Sequence, residues 1–335
     1  MFHSVVFSAL GIAVGLIGLW WSSDKSVEYS IKLSELFGIT TFFIGFVLIA
    51  ISTGLPELAI SIAALWNKVP SVAAGGIIGS NLIDVSLVLG LPAVFLGTLN
   101  VRKEDKLSLM LMLVVTALVM AFVFIVGTLS PVYGLVLFIL YFASIWWLWK
   151  HKATKIITPE EVVEELRGED GRKRRPLRFK LLMLLRLLIS VALVIIFSKI
   201  SIDSTIFFIK YLPISLAAFG ATIIAVGTSL PELALSIQAV RRKEYSLAFG
   251  NSFGSVLEQA TLILGLLVIG SRKPIDISML RPIAPIMFLS YAIVAHSLLK
   301  KTKVGRKEGL GKREGLLLLC LFAAHMIYYL FVRRV

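Results

Sequence analysis

Cysteine is nearly missing from this chain. Cys320 is the only one in 335 residues, which excludes an intramolecular disulfide and a cysteine-held metal cluster. The four histidines, His3, His151, His296 and His325, stand apart near the ends of apolar runs and share no motif, so a histidine metal centre is not expected. Charge is scarce too: 16% of residues are charged, against about 25% in an average soluble domain. What fills the chain is apolar, 58% of residues, with a mean hydropathy of +0.91. A soluble globular class is thereby excluded, and a polytopic membrane protein with the lipid bilayer as its surroundings is expected. The net charge of +14 lies in short basic clusters between apolar runs. That is a topology pattern, and no nucleic-acid partner is expected from it.

Crossing a bilayer as a helix takes roughly 20 apolar residues. Ten stretches meet this, at about 2–21, 36–66, 72–96, 107–128, 130–149, 179–198, 210–240, 246–271, 281–299 and 315–332. The first lacks a basic leader and is longer than a signal-peptide core, so it reads as a span. Five spans precede a polar stretch and five follow it. An odd number per half makes the second half enter the membrane from the opposite side. Lys and Arg concentrate in alternate loops, at 25–32, 102–106, 150–180, 241–243 and 300–313. These loops are expected in the cytoplasm and both termini outside, in the plasma (cytoplasmic) membrane. The expected fold is therefore all-α: ten transmembrane helices as two inverted five-helix repeats, 1–149 and 179–335, joined by a cytoplasmic linker at 150–178. Within the linker, Thr158-Pro159-Glu160-Glu161 is a helix start with capping-box spacing, and Arg172 to Arg175 suit anionic headgroups.

The two halves carry one motif twice. Ser52-Thr53-Gly54-Leu55-Pro56-Glu57 and Gly79-Ser80-Asn81-Leu82-Ile83-Asp84 recur as Gly227-Thr228-Ser229-Leu230-Pro231-Glu232 and Gly254-Ser255-Val256-Leu257-Glu258-Gln259. Every position is offset by the same 175 residues, without a gap.

An ionised carboxylate in the middle of an apolar span costs at least ~2.5–3.5 kcal/mol, so such residues persist for a use. The adjoining prolines remove a backbone donor and clash with the carbonyl four residues back, that of Ser52 or Gly227. Spans 2 and 7 are thus expected to be broken, with carbonyl oxygens freed at the depth of Glu57 and Glu232. Glu57 and Glu232 fall near the positive ends of the half-helices that follow, where a carboxylate is easier to hold ionised. Carboxylates, hydroxyls and carbonyls are the ligands hard cations prefer. Paired broken helices in two halves of a membrane protein point to a midplane transport site.

Around Glu57 and Glu232 the candidate ligands are Thr53, Thr228, Ser52, Ser229, Ser80, Ser255, Asp84, Glu258 and Gln259. Ser80 and Asp84, four apart, share a helix face. Repeat symmetry sets Gln259 opposite Asp84, with Glu258 about 100° around the helix. Glu258 either turns into the same cavity or faces a separate aqueous path. The hydroxyls either line the site or bond to their own backbone.

These residues resemble the two alpha-repeats of the calcium/cation antiporter superfamily, which includes sodium/calcium and proton/calcium exchangers. The resemblance covers both repeats and the five-plus-five layout. It implies alternating access, with the first and sixth spans sliding against a core formed by the others. It also implies that Glu57 and Glu232 are the central Ca²⁺ ligands, with Thr53, Thr228, Ser80, Ser255 and Asp84 around them. Gly54 stands where that pattern has serine, Val256 where it has asparagine, and Gln259 where an acidic or amide residue is usual, with Glu258 added beside it.

Losing a hydroxyl disfavours a sodium site, whereas a proton needs only a buried carboxylate. The expectation is an antiporter exchanging Ca²⁺ for H⁺, the alternative being a Na⁺/Ca²⁺ exchanger of the same fold. A cation channel is a more distant alternative, because pores are usually shared among identical subunits and this site is pseudo-symmetric within one chain. A single chain is accordingly the expected functional unit. No enzyme activity and no cofactor are expected: one aspartate at depth with no serine–histidine or metal–histidine set makes no active site.

Overall fold

A computed structural model of the chain describes residues 2–37, 40–66, 68–151, 177–209, 225–300 and 309–329. The expected linker helix at Thr158 and the Arg172 to Arg175 cluster lie outside these residues. The described residues are almost wholly helical. Seven of their helical stretches are long and apolar enough to cross a membrane: Thr41–Trp66, Ala73–Phe95, Asp105–Val126, Pro131–Leu148, Arg178–Phe197, Tyr245–Ser271 and Leu280–Leu299. They coincide with expected spans 2, 3, 4, 5, 6, 8 and 9. The first expected span lies within α1 (Phe2–Phe37), and the tenth overlaps a helix at Lys312–Ile327. The seventh is described from Ala225 onward.

The helix α1 runs past the expected end of its span. Its 36 residues make it about 54 Å long at 1.5 Å per residue, well beyond the ~30 Å hydrocarbon core. Lys25 and Lys32, expected in a loop, instead lie on this helix and pair with Glu28 at 2.7 and 2.6 Å. Spacings of three and four residues favour helix continuation there, and the Lys25 and Lys32 ammoniums hold the Glu28 carboxyl down at about 2. On another face Ser22, Ser26 and Ser30 each donate to the carbonyl four residues back. These small side chains form a flat seam along which α1 packs against α8 (Leu177–Ile209). Ser26 also bonds across the seam to Ser190 at 3.0 Å.

The second span comprises α2 (Thr41–Phe43), a π-helical stretch at Ile44–Ile49, α3 (Ala50–Thr53) and α4 (Leu55–Trp66). Then come α5 (Pro70–Phe95), α6 (Lys103–Val126) and α7 (Pro131–His151). After α8, the second half continues with α9 (Ala225–Thr228), α10 (Leu230–Arg241), α11 (Tyr245–Glu258), a π stretch at Gln259–Ile263 and α12 (Leu264–Ser271). It closes with α13 (Ala284–Leu299) and α14 (Lys312–Ile327).

The core is the pair of third and eighth spans. In the most apolar parts of Ala73–Phe95 and Tyr245–Ser271, 83% and 78% of residues are buried, against 22% for Pro131–Leu148. Outer helices instead present Ile17, Phe95 and Ile125 outward, as lipid-facing surface requires.

The inversion is visible in the pairings. α5 packs on α14 and α12 on α7, each joining the third helix of one half to the last helix of the other. Both contacts depend on paired glycines. A Cβ at Gly90 would stand 3.1 Å from the Gly315 carbonyl, and one at its repeat partner Gly265 2.9 Å from that of Gly134. Two short antiparallel ladders repeat this pattern: β1 (Leu99–Asn100) pairs with β4 (Gly309–Leu310), and β2 (Thr128–Leu129) with β3 (Ile275–Asp276). Next to the second ladder, Arg281 donates to the Phe124 and Ile125 carbonyls at 3.1 and 3.2 Å, closing the end of α6.

Candidate cation site

Both helices that carry the motif are broken, and each break is one residue long. Gly54 separates α3 from α4 with φ −74° and ψ −7°, and Ser229 separates α9 from α10 with φ −84° and ψ 0°. Backbone bonds bridge the kink on either side, Gly54 N–H to the Ala50 carbonyl at 2.8 Å and Ser229 N–H to the Ala225 carbonyl at 3.1 Å. Pro56 and Pro231 stand second in the half-helices that follow, where a missing donor is tolerated. Glu57 and Glu232 come next, in the first turn of α4 and α10.

Neither glutamate faces the acyl chains. Glu57 is 3% and Glu232 0% exposed, and all four of their carboxyl oxygens are buried without a hydrogen bond. The Thr228 side chain lies toward Glu57, and that of Thr53 toward Glu232. The two arms are thus crossed, each glutamate facing the threonine of the other break. Glu57, Glu232 and Asp84 lie within electrostatic reach of one another, and Glu258 within reach of Glu57.

The third and eighth spans supply the floor. Asp84 accepts a 2.8 Å hydrogen bond from the Gln259 amide, so the juxtaposition expected from repeat symmetry is present. Ser229 also lies toward Asp84. Ser80 reaches Thr228 at 3.0 Å, whereas its repeat partner Ser255 is buried with an unpartnered hydroxyl. Glu258 turns into the same cavity as Glu57 rather than toward a separate path: its carboxylate abuts Gly54. Ser52 does not join the cluster. It is partly exposed and donates to the Leu48 carbonyl at 2.6 Å, the local bond that a serine one turn above a break readily finds. Thr53 too donates within its own helix, to Ile49 and Ala50, leaving its oxygen toward Glu232.

Other residues hold the floor in place. Asn81 donates to the Val256 carbonyl at 2.6 Å and accepts from the Tyr291 hydroxyl. Ser252 donates to the Asp84 carbonyl at 2.8 Å, and Asn251 to the Glu232 carbonyl at 3.0 Å. Asn81 stood beside Ser80 in the repeated motif, but Val256 opposite it gave no sign that the partner would be a backbone oxygen. Tyr291 comes from α13, far from either repeat, and no sequence signal marked it.

Among the described residues no three Asp, Glu, His or Cys side chains form a compact metal cluster. The donor set is mixed: the carboxyls of Glu57, Glu232, Asp84 and Glu258 are buried, as are Thr53, Thr228, Ser80, Ser229, Ser255 and Gln259. Oxygen-only donors of this kind suit hard cations such as Ca²⁺ or Na⁺.

Two broken helices meeting over buried carboxyls within an inverted-repeat helical fold define a secondary transporter architecture. The sequence profile of the sodium/calcium exchanger protein family matches residues 7–150 and 182–331, and the chain belongs to that family. The inner membrane protein YrbG of Escherichia coli is 33% identical over 79% of this chain and 80% of its own length. The sodium/calcium exchanger MaX1 of Methanosarcina acetivorans is 26% identical over 98% of this chain and all of its own. Among solved structures, the sodium–calcium exchanger NCX_Mj soaked with 10 mM Na⁺ and zero Ca²⁺ superposes with a TM-score of 0.75 at 25% identity, covering 96% of this chain and 98% of that one. The fold expected from the sequence, all-α with inverted repeats in a membrane, is the fold these findings show.

Proposed function

We propose that the chain is a secondary-active antiporter that moves Ca²⁺ across the membrane against a monovalent cation. The carrying observation is the crossed pair of Glu57 and Glu232, two buried carboxyls without hydrogen bonds whose combined charge matches one divalent ion. An empty site would hold like charges face to face, which is unfavourable in a medium of low polarity. The site therefore exchanges one cargo for another rather than standing vacant, and that requirement couples the two flows. The long seam between α1 and α8 supports these two helices as the moving pair, sliding past the core to expose the site to either side. The functional unit is one chain in the plasma membrane, with both termini outside and the linker in the cytoplasm. It is no enzyme and needs no cofactor.

H⁺ is the favoured counter-ion, because Gly54 offers no hydroxyl to a sodium ion and carboxyls outnumber the ions they would otherwise neutralise. The second reading, Na⁺/Ca²⁺ exchange, is supported by the names of MaX1 and NCX_Mj. Ca²⁺ uptake into proteoliposomes under an imposed pH or sodium gradient tests both. Uptake driven by neither gradient rejects antiport, and Ca²⁺ flux that persists without a counter-ion assigns a channel instead.

A further inference from the structure

The two halves are not alike in charge around their breaks. At the second break Ser229 lies toward Asp84, and the residue one before the Gln259 partner of Asp84 is the acidic Glu258. At the first break Ser229 is matched by Gly54, and Glu258 by the apolar Ile83. A Cβ built at Gly54 would stand 2.8 Å from Glu258 Oε1 and 3.0 Å from its Oε2. Even alanine would press on those oxygens. Gly54 is not in a left-handed conformation, so the backbone itself does not require glycine here. The space does.

We propose that Gly54 and Glu258 form one element: the bare backbone at 54 seats the Glu258 carboxylate beside Glu57, and the two carboxylates make a second subsite for a hard cation. Glu258 is 3% exposed, and its Oε2 is buried with no hydrogen-bond partner, an oxygen left available to an ion. Glu57 is the site carboxyl within electrostatic reach of it, and Tyr141 on α7 also lies within electrostatic reach of Glu258. A hydroxyl at one break, that of Ser229, and a carboxylate at the other, that of Glu258 beside Gly54, turn a nearly symmetric site into one with unequal ends. The two substitutions make sense only together, since a serine at 54 would fill the seat and Glu258 without the seat would have no place in the cavity.

This inference rests on the transport reading, and a double-mutant cycle separates the two. The purified protein in detergent at fixed pH is titrated with CaCl₂ or with NaCl, and thermal unfolding gives the half-saturating concentration of each. The wild type, Gly54→Ser, Glu258→Ala, Glu258→Gln and Gly54→Ser/Glu258→Ala are compared. For the cation that stabilises the wild type, Gly54→Ser and Glu258→Gln each raise the half-saturating concentration at least fivefold. Gly54→Ser adds less than twofold in the Glu258→Ala background, because the serine then has no carboxylate to displace. Whether the shift falls in the Ca²⁺ or the Na⁺ curve identifies the ion that the subsite takes. An equal effect of Gly54→Ser in both backgrounds, or no effect of Glu258→Gln, overturns the subsite while leaving transport intact. A wild type stabilised by neither cation overturns the transport reading and the subsite with it. Should Gly54→Ser not yield folded protein, Gly54→Ala makes the same collision and completes the cycle.

Discussion

Asp84 and Gln259 are repeat partners, and they are hydrogen-bonded to each other at 2.8 Å. Asn81 and the Val256 carbonyl, also repeat partners, meet in the same way at 2.6 Å. The pseudo-two-fold axis therefore passes between α5 and α11 at the level of the candidate cation site, which straddles it. Two positions that symmetry makes equivalent have diverged into an acceptor and a donor, so that they can bond where two identical acidic groups would repel.

Gln259→Leu leaves Asp84 Oδ2 buried without its donor. A hydrogen bond to a carboxyl is worth roughly 1.5–3 kcal/mol, and a loss of that order is expected in thermal or denaturant unfolding in detergent. Gln259→Glu is expected to destabilise the ion-free protein further, with added Ca²⁺ restoring part of the loss. An equal stability of wild type and Gln259→Leu would show that the bond contributes nothing.

Glu57→Gln and Glu232→Gln each keep shape and remove one charge. Ca²⁺ uptake in proteoliposomes is expected to fall at least 100-fold for either variant, with helical content unchanged by circular dichroism. Retained exchange would remove these residues from ion binding.

Pro56 stands second in α4, where no internal bond is lost. Pro56→Ala is therefore expected to change unfolding stability by less than about 1 kcal/mol. It supplies an N–H to the turn above, however, and straightens the kink that Gly54 makes. A drop of tenfold or more in uptake at near-normal stability is the expected outcome. Unchanged uptake would show that the kink does not depend on the proline.

Asp24 on α1 holds Arg242, just after α10, at 2.7 Å, and Arg241 lies 4.6 Å over the Trp20 ring. These contacts tie the proposed moving pair to the core at one end. Both ions of the pair are about a third exposed, so Asp24→Asn should cost under about 1 kcal/mol. Its effect is expected in the equilibrium between access states. Cys320, the sole cysteine, is exposed, so in a Cys320→Ser background single cysteines near the site can be probed with thiol reagents. Asp24→Asn is expected to change their labelling at least threefold, and identical labelling would rule out a latch here.

Much of this was legible because the bilayer leaves few options. Ten apolar stretches, the 175-residue offset and the paired Pro-Glu steps led to the inverted halves, the broken helices and the pair of glutamates at the two breaks. What the sequence hid was set by packing between distant segments. Periodicity says nothing of whether Ser52 turns inward, since its local bond to Leu48 competes with the cavity. Glu258 was ambiguous on the helical wheel, and its direction was decided by an empty volume at Gly54, in the other half of the chain. The continuation of α1 through Lys25 and Lys32 was concealed by their charge, which signals a loop until Glu28 between them is counted as a partner.

The two small ladders have a mechanical meaning. β1 clasps β4 and β2 clasps β3, so each half is stitched to the other by two separate seams, in the loops that flank α5, α6, α12 and α13. Ladders of this kind oppose a hinge-like rocking of one half against the other. Among the described residues neither α1 nor α8 takes part in a ladder, so the sliding proposed for these two helices past the rest of the bundle breaks neither seam.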